Sequence, residues 1–190
     1  MIYGVGTGRC GTKSLAKALG GVHEPQPWFT DEPKNWYLSG NYDFNLAGMI
    51  KERSELDVQV VVDFKQSYMM GFILQQDVTA KFIWVIRDPV SCIRSMMKGK
   101  WYVEDEPNIL EPWSGWDEGQ SPLSKCIWYY RTVNEHIYKY KRWVKLVYFT
   151  EDLPEWENKY PADITYEFTE EELTRIHDGC DSIYKKAREL

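Results

Sequence analysis

The first two dozen residues constrain this chain more than any other stretch. Ile2-Tyr3-Gly4-Val5-Gly6 mixes β-branched and aromatic residues with small ones, which reads as a short buried strand. Thr7-Gly8-Arg9-Cys10-Gly11-Thr12-Lys13-Ser14 follows as a turn with closely spaced glycines and hydroxyls. Leu15-Ala16-Lys17-Ala18-Leu19 continues as a helix, which Gly20-Gly21 stops. Strand, glycine-rich turn and helix N-terminus together form a cradle for a phosphate-like anion. Glycines let the ligand approach the backbone, successive N–H groups converge, and the helix dipole adds about half a positive charge. Arg9 and Lys13 reinforce that sign. The plainer alternative is an ordinary strand-to-helix turn with incidental glycines.

Known anion loops narrow the choice. A Walker A loop places Lys directly after its second glycine. Here Gly6 and Gly11 have the right separation, but Thr12 intervenes before Lys13-Ser14. Gly6, Gly8 and Gly11 fit the dinucleotide fingerprint formally, yet no acidic residue closes a second strand about 20 residues on. Glu24, the nearest acid, comes too early and stands beside Pro25.

A chain of 190 residues with 43% hydrophobic content suits a single globular domain, here taken as residues 1–190. Nine Trp and 13 Tyr point to a site with flat, partly polar walls or to an adhesive surface. A net charge of −6 argues against general nucleic-acid binding. Cys10, Cys92, Cys126 and Cys180 are scattered without zinc-like spacing, so free thiols in a reducing compartment are expected. No apolar run approaches a membrane span, and the N-terminus enters a glycine-containing strand at once. The expectation is a cytoplasmic protein without a signal peptide and without a membrane partner.

Further along, Val22 to Pro25 reads as a short extended piece, 25–42 as irregular surface and 45–55 as a helix. Val58 to Phe64 is the strongest strand pattern, with Lys65-Gln66-Ser67 as its C-terminal edge and a short helix over 68–76. Lys81 to Ile86 is a second buried strand. Pro89 opens a helix to about Met97, and Lys100 to Gln120 is a long aperiodic stretch. Ser121-Pro122 starts a helix to about Arg142 with Leu123, Ile127, Tyr130, Val133, Ile137 and Tyr140 on one face. Val144 to Phe149 is another strand, and Thr169 to Glu172 is a capping box opening a helix to about Arg188. This alternation predicts an α/β fold with a central, mostly parallel sheet flanked by helices.

The second informative stretch is Val85-Ile86-Arg87-Asp88-Pro89-Val90, with Ser95 eight residues after Arg87. A strand ending in Arg, followed by a helix with Ser two turns on, sets both groups around one small pocket. The planar fork of Arg suits a phosphate monoester because it donates two bonds at once. Arg87 pairing with Asp88 or capping a carbonyl is the competing reading.

Arg9-Cys10-Gly11-Thr12 resembles the 5′-phosphosulfate loop of sulfotransferases, with Lys13 standing where Thr or Ser is usual. Arg87-Asp88-Pro89 with downstream Ser95 resembles the 3′-phosphate motif of the same enzymes. The resemblance is to a small P-loop sulfotransferase, firm over 1–25 and 80–98 and faint over 58–67 and 123–153. It implies a three-layer P-loop sulfotransferase-like fold. It also implies 3′-phosphoadenosine 5′-phosphosulfate (PAPS) as sulfuryl donor, adenosine 3′,5′-bisphosphate as product, and no metal. Gly8, Arg9, Cys10, Gly11, Thr12, Lys13 and Ser14 would then hold the 5′ side, and Arg87 with Ser95 the 3′-phosphate.

In-line transfer needs a base near the acceptor and positive groups on the sulfonate oxygens. The family's Glu after the first helix matches Glu24, with His23 beside it as the other candidate. On an extended segment neighbours point to opposite sides, so one of the two is expected to face the sulfonate. Lys65, just past a strand end, is a further catalytic candidate or a solvated lysine. Thr150-Glu151-Asp152-Leu153 stands where the family often has Tyr-Glu-Asp-Leu, which puts a cofactor role for Thr150 in doubt. Cys10 reads as a small filler rather than a nucleophile. The Trp- and Tyr-rich stretch 101–116 either walls the acceptor site or packs as a lid. The acceptor, whether small molecule, carbohydrate or peptide, and the oligomeric state are not encoded in any stretch. Two other functions stay open: a P-loop small-molecule kinase using ATP and magnesium, with Asp63 as metal ligand, and a non-catalytic nucleotide-binding protein.

Overall fold

The computed structural model describes residues 1–24, 59–100, 120–153 and 166–190. The helix predicted over 45–55, the irregular stretch 25–42 and the aromatic stretch 101–116 lie outside the described residues. Five strands, β1 (Ile2–Val5), β2 (Val22–His23), β3 (Val60–Val62), β4 (Lys81–Ile86) and β5 (Val144–Phe149), form one sheet. Among the described residues five α-helices accompany them: α1 (Thr12–Ala18), α2 (Met70–Gln76), α3 (Pro89–Lys98), α4 (Pro122–Lys139) and α5 (Glu170–Arg188).

Strand order is β2-β3-β1-β4-β5, and every pairing is parallel. β1 lies at the centre, with Tyr3 opposite Val61 on one side and Phe82 on the other. After β1 the chain moves toward β2, whereas after β4 it moves toward β5. Connections leaving neighbouring strands in opposite directions open a crevice at their carboxyl ends, between β1 and β4. Right-handed crossovers then assign α1 to one face of the sheet and the helices that follow β4 to the other.

β4 is buried along five of its six residues, as a strand covered on both faces must be. Tyr3, Val5, Phe82, Trp84, Ile86, Tyr129, Tyr130 and Val133 are core residues with at most 1% exposure. Burying that much aromatic and aliphatic surface, at about 25 cal/mol per Å², is the main force holding the layers together. Trp84 meets its polar requirement inside this core: its indole N–H donates to Asn134 Oδ1 on α4 at 3.1 Å.

Local signals set most boundaries. Asp88 accepts from the Ser91 amide at 2.9 Å and Pro89 occupies the first turn of α3. Thr169 and Glu172 form a reciprocal capping box at the start of α5. Two C-terminal boundaries differ from the sequence expectation. β3 stops at Val62, and Phe64–Ser67 is a 3-10 turn rather than the edge of the strand. The cause is Asp63, whose Oδ1 accepts from the Lys65 amide at 2.8 Å and so offers the backbone a turn instead of a ladder. α4 ends at Lys139, three residues before the expected Arg142. No helix among the described residues is long and apolar enough to cross a membrane.

Candidate active site

Gly6 follows β1, where the backbone runs against β4 and its own loop. A Cβ at Gly6 would stand 2.6 Å from the Val85 carbonyl oxygen and 2.6 Å from Cys10 Sγ, so only glycine fits. The buried Ser67 hydroxyl clamps the same residue from the 3-10 turn, accepting from its amide at 2.9 Å and donating to its carbonyl at 2.8 Å. Beyond this clamp the chain reverses through left-handed conformations at Gly8 (φ 69°), Arg9 (φ 52°) and Gly11 (φ 97°). For glycine this geometry is ordinary. For Arg9 it costs on the order of 1–3 kcal/mol, a strain that folded proteins keep mainly at functional positions.

That strain aims Arg9 across the β1–β4 crevice. Its Nε donates to Ser95 Oγ at 3.1 Å, on the second turn of α3. Arg87, at the end of β4, donates from Nη1 to the Arg9 carbonyl at 3.2 Å. Arg87 thus does cap a carbonyl, and that carbonyl belongs to the other predicted anion-binding arginine. Both guanidiniums also lie near the Cys92 thiol, which they pull down while burial pushes it up to about 12. Residues 78 and 86 positions apart in the chain therefore share one small, positively charged region.

α1 opens directly from this loop. Gly11 is its N-cap and no side chain caps it, so its first amides have no intrahelical acceptor. The Thr7, Gly8 and Cys10 amides turn instead toward Cys10 Sγ. Cys10 is buried, and burial raises its thiol pKa, consistent with a filler whose contribution to the loop is backbone. All four cysteines are free and buried. Thr12 is buried, Ser14 half-buried and Lys13 exposed.

The two base candidates differ from expectation in orientation. His23 Nε2 stands 3.0 Å from Thr12 Oγ1 and 3.4 Å from Glu24 Oε1, so both residues converge on the start of α1. The alternation rule fails because the strand ends at His23. Glu24 adopts φ 42°, and this left-handed step brings its carboxylate back to the side of its neighbour. Thr12 and Glu24 thus both approach the same ring nitrogen of His23, beside the start of α1.

Lys65 lies on the 3-10 turn, half-buried, with Nζ over the Phe64 ring at 5.8 Å from its centroid. Asp63, the metal ligand a kinase would need, is wholly buried and caps that turn. Among the described residues no three His, Cys, Asp or Glu side chains are grouped to hold a metal. Four residues that sequence reasoning assigned no site role also touch the loops: Ser67, Tyr129, Tyr130 and Thr150. Each is a hydroxyl bonded to a backbone group 43 to 140 positions away, and no local pattern announces such a contact. No protein-family model matches the chain, and no curated protein matches it.

Proposed function

We propose that this chain is a sulfotransferase of the P-loop type, moving a sulfuryl group from PAPS to an acceptor hydroxyl or amine. The observation that carries this reading is the meeting of Arg9, Arg87 and Ser95 across the crevice between β1 and β4. Two fixed guanidiniums and a hydroxyl suit a nucleotide with phosphate-like groups at two positions. Arg87 and Ser95 would read the 3′-phosphate, while Arg9 and the first amides of α1 hold the 5′ side. The donor supplies an activated sulfuryl group. Arg9 then balances negative charge on the sulfonate oxygens and on the departing phosphate. Glu24, whose carboxylate lies 3.4 Å from His23 Nε2, takes the acceptor's proton.

A kinase is less well supported, because Asp63 is wholly buried and one of its oxygens caps the 3-10 turn. The guanidinium pair supplies the positive charge for transfer, so no divalent cation is required in this proposal.

Titration calorimetry tests the reading. Adenosine 3′,5′-bisphosphate is expected to bind more tightly than AMP by about 10- to 100-fold, the worth of a charged hydrogen-bonded contact. Arg87→Ala removes most of that difference. Equal affinity for the two nucleotides, or tighter binding of ATP with magnesium, refutes the proposal.

A further inference from the structure

The loop from Gly6 to Gly11 has an ordered back. Ser67 Oγ donates to the Gly6 carbonyl at 2.8 Å, Tyr129 Oη to that of Thr7 at 2.8 Å and Thr7 Oγ1 to that of Gly8 at 2.8 Å. Arg87 Nη1 donates to the Arg9 carbonyl at 3.2 Å, Thr150 Oγ1 to that of Cys10, and the Leu15 amide to that of Gly11 at 2.9 Å. Six consecutive carbonyls thus each have a donor. In a trans peptide the carbonyl of one residue and the amide of the next point in opposite directions. Pinning the Cys10 carbonyl inward therefore aims the Gly11 amide outward.

Five of these donors come from outside the loop, and one of them, Tyr129 on α4, has a second hydroxyl donor, Tyr130, beside it. Tyr129 is wholly buried and receives a hydrogen bond from Tyr68 Oη at 2.5 Å, which leaves its own proton for Thr7. Tyr130 donates at 2.8 Å to the Arg87 carbonyl, at the end of β4. Consecutive residues on one helix thereby hold the β1 arm and the β4 arm separately. Thr150, 2% exposed and just past β5, spans both: its hydroxyl also lies 3.2 Å from the Ile86 carbonyl, one residue before Arg87.

We propose that Tyr129, Tyr130 and Thr150 are positioning residues that set the spacing between the 5′-side loop and the 3′-phosphate arm from behind. Tyr130 fixes the Arg87 arm, Tyr129 fixes the loop, and Thr150 locks the two together. The inference rests on the sulfotransferase reading. It gives Thr150, which replaces the aromatic residue the resemblance leads one to expect, a role in aiming backbone rather than in touching nucleotide.

Calorimetry on Tyr130→Phe, Thr150→Val and Thr150→Ser, each checked by urea melting, separates the roles. Tyr130→Phe is expected to lower the ratio of bisphosphate to AMP affinity by about 5- to 10-fold with AMP affinity little changed, the size of one lost buried hydrogen bond. Thr150→Val weakens both nucleotides by about the same factor, and Thr150→Ser restores them because the hydroxyl returns. A purely structural hydroxyl would alter the melt and leave both nucleotide affinities, and so their ratio, alone. An unchanged ratio in Tyr130→Phe, or equal binding by Thr150→Val and Thr150→Ser, overturns the proposal. If Tyr130→Phe does not fold, the Val and Ser pair at Thr150 decides by itself. A wild-type ratio near one refutes the sulfotransferase reading instead, so the two failures are told apart.

Discussion

Ser67→Ala is the most informative single change outside the charged groups. Ser67 is wholly buried, and its hydroxyl makes two bonds to one residue, accepting from the Gly6 amide and donating to the Gly6 carbonyl. Alanine nearly conserves the volume, so cavity formation contributes little. What is lost is the partner of two backbone groups that the fold keeps from water. Leaving a buried polar group unsatisfied costs about 1–3 kcal/mol, and the two groups share some relaxation, so about 2–4 kcal/mol is expected. Against a typical domain stability of about 5–15 kcal/mol this is a large fraction. Urea unfolding measures it directly: the midpoint falls while the slope stays constant, because the surface exposed on unfolding is unchanged. Ser182→Ala, on an exposed position of α5, is the control and stays within about 0.5 kcal/mol. A loss in Ser67→Ala no larger than in that control refutes the claim that the hydroxyl clamps the end of β1.

Gly6→Ala places a methyl 2.6 Å from the Val85 carbonyl, which cannot move without breaking β4; a loss of about 1–3 kcal/mol from overpacking is expected in the same melts. Glu24→Gln lowers kcat by about 10²–10⁴-fold with bisphosphate affinity unchanged, whereas near-normal turnover in Glu24→Gln and its loss in His23→Asn assign the base to His23. The two residues touch, so the double variant deviates from additivity by at least about 0.5 kcal/mol. Burial holds His136 down to about 4 from its usual 6.5, so the folded state binds its proton less readily than the unfolded chain. Its contribution to stability is therefore complete above about pH 6.5 and is lost as pH falls toward 4. Melts between those limits show the slope, His136→Gln flattens it, and a ring that titrates near 6.5 in the native protein contradicts the placement.

What the sequence determined by itself was local. β4 and β5 fall on Lys81–Ile86 and Val144–Phe149 because short apolar runs bounded by turn residues leave few alternatives. The capping box at Thr169 and the Pro89 start of α3 were legible for the same reason, since cap and capped amide are three residues apart. Spacing alone placed Arg87 and Ser95 around one pocket and Arg9 in a separate glycine-rich loop, and the contact of Arg9 with both came from the sheet setting β1 beside β4. Tertiary structure decided the rest. Strand order brought the ends of β1 and β4 together, and the left-handed step at Glu24 turned both base candidates to one side. The hydroxyls of Ser67, Tyr129, Tyr130 and Thr150 found carbonyls 61, 122, 43 and 140 positions away. A hydroxyl accepts almost any polar partner, so its residue type carries no address. Which carbonyl it holds is settled only when sheet order and helix packing bring the two within hydrogen-bond reach.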